Sequence, residues 1–141
     1  MIIQIASVLV AFIFTVLAFI HFNWVIGGTW GYDASLPSAE NGKRLFNPSK
    51  IATGIVGLGL LIFGVTYVAK SGFINLNQYE HILKYSRWII ITIFLLRAVG
   101  DFKYVGFFKK IKNTPFGKAD TNIFSPLCLG IGVIGLLIEL M

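Results

Sequence analysis

"FLLRAVGDFKYVGFFKK", Phe94 to Lys110, places an arginine and an aspartate four residues apart at the end of an apolar run. The run begins near Trp88 and reads as a membrane-crossing helix, so Arg97 and Asp101 are opposite charges set in or beside hydrocarbon. A helix starting at an interfacial Trp88 needs about 20 residues, roughly 30 Å at 1.5 Å per residue, to cross. It is expected to end near residue 107, with Arg97 close to mid-depth and Asp101 one turn nearer the surface. Each charge costs about 2.5–3.5 kcal/mol at the bilayer centre, so something must compensate both. Mutual pairing on one helix face is the plain solution. Yet an acid placed C-terminal to its base sits badly against the helix dipole, and an ionisable group within a span is a functional-site candidate by default.

The rest of the chain fits that reading. Its 141 residues are 56% hydrophobic and 13% charged, with a mean hydropathy of +0.80, too little polar cover for a soluble domain. Four stretches, about 2–26, 51–69, 86–107 and 123–141, approach or exceed the length of a span. The expected fold is therefore an all-α membrane protein: one integral membrane domain over 1–141, built as a four-transmembrane-helix antiparallel bundle. No Lys or Arg precedes the first stretch and its apolar core is too long for a secretory signal, so it reads as a retained span. The one cysteine, Cys128, excludes an intrachain disulfide and dithiol redox chemistry.

The net charge of +6 does not point to nucleic acid, because the basic residues flank hydrophobic stretches, where they set topology and meet lipid headgroups. The first loop holds Lys43, Arg44 and Lys50, and the third holds Lys103, Lys109, Lys110, Lys112 and Lys118. The second holds only Lys70, Lys84 and Arg87. The positive-inside rule then places loops one and three in the cytosol and both termini outside, in a multi-pass cell-membrane protein. Ser125 before Pro126 reads as a helix N-cap with proline in the first turn, and "NTPFG" (Asn113–Gly117) as a turn. Gly54, Gly57 and Gly64, like Cys128, Gly132 and Gly135, line one face each, suited to close packing within the bundle or to a homodimer.

The remaining polar groups gather at the end where loops one and three lie. His21, Asn23 and Trp24 close the first span, at a depth matching Asp101, and Trp30 follows in a loop long enough to fold over the cytosolic mouth. Asp120 and Ser125 stand where the last span begins. Glu80, His81 and Glu139, at the other end, read as ordinary interfacial residues, so function is expected at one end only. Neither zinc-ligand spacing nor a nucleotide-binding glycine loop is present, and the residue pattern calls for no metal or cofactor.

The motifs "HFNWVIGGTWG" (His21–Gly31), "LLRAVGDFKYVGFF" (Leu95–Phe108), "FGKADT" (Phe116–Thr121) and "SPLC" (Ser125–Cys128) together resemble a family of small bacterial four-span proteins, domain-of-unknown-function family three-nine-nine-five. The resemblance covers nearly the whole chain in order. It implies a four-helix integral membrane protein of about this length and brings no activity, substrate or cofactor.

The residues favour a ligand-binding site at the cytosolic end, for an amphipathic lipid-, isoprenoid- or quinone-like molecule, built from His21, Asn23, Trp24, Trp30, Arg97, Asp101, Asp120 and Ser125. No catalytic residue is assigned. A structural or accessory protein without ligand, whose only partners are membrane lipids, is the first alternative, and a small dimeric transporter the second.

Overall fold

A computed structural model describes all residues, 1–141. The chain is helical throughout: α1 (Ile2–Val25), α2 (Tyr32–Ser35), α3 (Lys50–Ser71), α4 (Glu80–Val99), α5 (Pro115–Ala119) and α6 (Ser125–Leu140). Three helical segments, Ile2–Val25, Lys50–Ser71 and Pro115–Leu140, are long and apolar enough to cross a membrane. Helix α4 matches them in length but carries Glu80, Lys84, Arg87 and Arg97.

The four long helices share one core. α1 lies along α3, α4 along α6, and further contacts join α1 to α6 and α3 to α4. Phe14 sits at the middle, with its ring 5.8 Å from that of Phe63, 5.9 Å from Tyr67 and 5.3 Å from Phe94. Val10, Leu60, Ile90 and Ile131 fill the space around it. The outer faces are as apolar as the core: Phe12 and Phe19 of α1, Ile51 and Ile55 of α3, Ile89 and Leu96 of α4, and Leu137 of α6 are all exposed. An apolar surface this extensive is compatible with lipid as the surrounding medium.

The glycine faces are consumed inside the chain. A side chain at Gly57 would press on the Phe22 ring, at Gly132 on Leu95, and at Gly135 on Tyr67 and Ile91. Only Gly59 and Gly130 among the glycines of α3 and α6 face open space.

Two of the expected helices have other bounds. Helix α4 starts at Glu80 and stops at Val99 instead of running over 86–107, so Arg97 lies in its last turn and not near its middle. Gly100 ends it with φ +84°, and the chain doubles back so that Phe107 N–H reaches the Ala98 carbonyl at 2.8 Å. Gly106, also at positive φ, passes against Gly100 so closely that a Cβ on either would overlap the other's backbone. The last long helix begins at Pro115 and not near residue 123. Thr114 is its cap, accepting the Gly117 N–H at 2.9 Å, with Pro115 in the first turn.

Ser125 is accordingly not an N-cap. It lies inside a helical run that passes from α5 through one wide turn, Asp120–Phe124, into α6. Pro126 explains the widening, since it has no N–H for the regular i→i−4 ladder. Ser125 N–H bonds instead to the Asp120 carbonyl five residues back.

Gly106→Ala is expected to lower the melting temperature in detergent sharply, because it combines positive φ with backbone overlap. Gly59→Ala should leave it unchanged or raise it slightly, by up to about 1 kcal/mol of helix propensity.

Candidate functional site

The wide turn brings Asp120 to the centre of a buried charge cluster. Its side chain is fully buried. Oδ1 accepts from Arg97 Nη2 at 2.7 Å. Oδ2 accepts from Gly106 N–H at 2.8 Å and Ser125 Oγ at 3.1 Å, and pairs with Lys109 Nζ at 3.1 Å. Lys109, whose side chain is also fully buried, donates further to the Gly106 carbonyl at 3.0 Å and Thr121 Oγ1 at 2.6 Å. Two cations thus face one carboxylate.

Arg97 does not pair with Asp101, contrary to the expectation from their spacing. Because α4 stops at Val99, Asp101 lies beyond the helix. Its Oδ1 takes the N–H groups of Lys103, Tyr104 and Val105 at 2.9, 2.8 and 2.9 Å, a side-chain cap on the reversing loop. Desolvation pushes this carboxyl up, and the amide donors of Lys103, Val105 and Tyr104 more than offset it, leaving the group below its ordinary value.

Beside this cluster runs a cleft of about 440 Å³ between the end of α1, α2, the end of α4 and the wide turn. Leu17, Ile20, Ile123 and Phe124 make it apolar, while His21, Trp24, Trp30 and Arg97 supply the polar atoms. Arg97, with 31% of its side chain exposed, spends Nη2 on Asp120 and leaves Nη1 buried without a partner. His21 Nδ1 lies 2.7 Å from the Leu17 carbonyl. A carbonyl only accepts, so Nδ1 carries the proton and Nε2 is the free ring nitrogen. The Trp24 indole N–H donates to the Trp30 carbonyl at 2.6 Å, fixing the first loop as a wall of the cleft, and α2 packs on α5. A second cleft of about 360 Å³ lies across His21 and Trp24, against Phe46, Thr53 and Val56.

Of the eight residues singled out in sequence, His21, Trp24, Trp30 and Arg97 line the first cleft. Asp120 and Ser125 stand behind Arg97. Asn23 instead holds the loop, accepting the Trp30 N–H at 3.4 Å, and Asp101 belongs to the neighbouring turn. Lys109 was missed. It reads as one more loop lysine, and only the Gly100–Gly106 reversal turns it inward.

The opposite end also departs from expectation. Arg87 is not a loop residue, nor Glu139 an ordinary interfacial one: their side chains are 0% and 1% exposed. Arg87 Nε donates to Glu139 at 2.6 Å and Nη2 to the half-exposed Glu80 at 2.6 Å. Lys70 stands 3.9 Å from Glu139. Starting α4 at Glu80 puts Glu80 and Arg87 seven residues apart on one face, beside the end of α6.

A model of the family described as "Protein of unknown function (DUF3995)" matches residues 14–135, and the chain belongs to that family. No curated protein and no solved structure matches it.

Asp120→Asn should destabilise the protein by about 3–5 kcal/mol, because it leaves the buried Lys109 and the partly buried Arg97 without their counter-charge. Asp101→Asn should cost less. The Asp101 carboxyl is depressed in the folded state, so its stabilisation is present above the unfolded value of about 3.9 and is lost as pH falls through the folded value. Unfolding followed from pH 6 down to pH 2 in wild type and Asp101→Asn should show the two curves converging only at the acid end.

Proposed function

We propose that this member of the DUF3995 family is a four-span antiparallel membrane bundle that binds an amphipathic molecule of lipid, isoprenoid or quinone type in the cleft beside Arg97. The observation that carries the reading is the Arg97 guanidinium. One of its arms is anchored on Asp120, and the part of the side chain left exposed, 31%, forms a wall of an apolar cleft. A polar headgroup would meet that exposed part of the cation while a chain lies along Leu17, Ile20, Ile123 and Phe124.

Helix α4 acts as the fourth span in this reading. Its 20 residues reach about 30 Å, and its two arginines are tied to carboxylates near its two ends. The basic residues support placing the cleft at the cytosolic leaflet with both termini outside. Lys103, Lys110, Lys112 and Lys118 flank the cleft end, whereas Arg87 at the other end is neutralised internally. A purely architectural role would explain Asp120 and Arg97 Nη2 but leaves the cleft and the exposed part of Arg97 without a use. The aromatic cluster around Phe14 fills the core between the charged ends, which disfavours a transport path through the centre.

Native mass spectrometry of protein released from membranes should show a bound small molecule that is absent from Arg97→Ala. Folded wild-type protein carrying no adduct, even from gently extracted native membranes, would contradict the reading.

A further inference from the structure

We infer that the headgroup received by Arg97 is an oxyanion, a phosphate or carboxylate, carried on a single apolar chain. This rests on the cleft being an amphiphile site and goes further by fixing the charge and the chain number of what enters it.

The charge follows from the cluster behind the cleft. Arg97 and Lys109 are both paired to Asp120, and Asp120 is the only carboxylate in contact with either, so the cluster holds one positive charge in excess. Asp101, the nearest acid in sequence, is engaged by backbone amides. No Asp or Glu lines the cleft, and Arg97 is its one charged wall. A neutral carbonyl, as in a quinone, would displace water from Arg97 and leave that excess charge buried and unbalanced, an unfavourable exchange. An oxyanion cancels the charge and accepts from the exposed part of the Arg97 side chain in a charge-assisted hydrogen bond.

The other end of the molecule is a natural control. There Arg87 and Lys70 face Glu139 and Glu80, two cations against two anions. Arg87 Nη1 is unpartnered there as well, but the charge is balanced and the Arg87 side chain is fully buried, with no part exposed to a ligand. The excess charge and the cleft coincide only at Arg97. The chain number follows from size: about 440 Å³ lies low in the usual range of ligand sites, roughly 300–1,000 Å³, room for one chain and not for a diacyl lipid.

The test uses the full-length protein in a neutral maltoside detergent, with melting temperature and tryptophan fluorescence as readouts. The probes are dodecyl phosphate, dodecanoate, dodecanol, inorganic phosphate and a diacyl phosphatidic acid in mixed micelles. Dodecyl phosphate and dodecanoate are expected to bind at least about tenfold more tightly than dodecanol, one charge-assisted contact's worth, while inorganic phosphate at equal concentration has no effect. Arg97→Lys keeps a cation for Asp120 but loses the guanidinium, and should erase most of that preference. Ala34→Trp, which fills the cleft without touching the ion cluster, should abolish binding of every chain and serves if Arg97→Lys does not fold. Dodecanol binding as well as the anions would overturn the oxyanion and leave the amphiphile site standing. Inorganic phosphate matching dodecyl phosphate would overturn the amphiphile site itself. Phosphatidic acid binding more tightly than dodecyl phosphate would overturn the single chain and point to a bilayer lipid. Binding of no probe would overturn both readings.

Discussion

The buried carboxylate of Asp120 ties together three parts of the chain that are distant in sequence. It holds Arg97 at the end of α4, the Gly106 amide and Lys109 in the reversing loop, and Ser125 at the start of α6. Each attachment depends on a local backbone feature. Gly100 lets the loop turn back, Gly106 lets it pass close enough to donate its N–H, and Pro126 widens the helix so that Ser125 comes over the carboxylate. Remove the carboxylate and two cations remain in a place with little water, a far larger penalty than the net gain from pairing them. The cluster therefore acts as a constraint on shape as much as a source of stability.

That constraint gives the cleft its character. Arg97 is held by one arm from behind, so the exposed part of its side chain keeps a fixed place at the cleft, and rigid placement of a charged group is what a binding site requires. The first loop completes the enclosure through the Trp24–Trp30 hydrogen bond and the packing of α2 on α5. At the far end Arg87 is more deeply buried than Arg97 but its charges balance, and there the interaction reads as a clasp between α4 and α6. One device, an arginine of α4 locked by an acid from a neighbouring segment, appears twice and is left unbalanced at only one place.

Much of this was legible in the sequence, and the failures share one physical cause. Hydrophobic run length marked the four long helices, because burying apolar surface is a property of the run itself. Membership of the family was legible from motifs spread over the chain. Arg97 and His21 were marked out by being polar where hydrocarbon was expected, and Asp120 and Trp24 by standing at the same end of the bundle. What failed was partner choice. Spacing pairs Arg97 with Asp101 only if the helix continues past Gly100, and the glycine's positive φ breaks that premise. Lys109 and Glu139 find their partners through a backbone reversal and a helix from elsewhere in the chain, and neither leaves a periodic signal. Pro126 was visible, but a proline after a serine reads as a helix start. Only the capped turn at Thr114–Pro115 shows that the helix had already begun.

The pairing of Arg97 with Asp120, and not with Asp101, is decided by a double-mutant cycle on unfolding free energy in detergent, using Arg97→Gln with Asp120→Asn and, in parallel, Arg97→Gln with Asp101→Asn. A coupling of at least about 2 kcal/mol in the first cycle, with additivity in the second, is the expected result. Additivity between positions 97 and 120, with coupling between 97 and 101, would contradict the account.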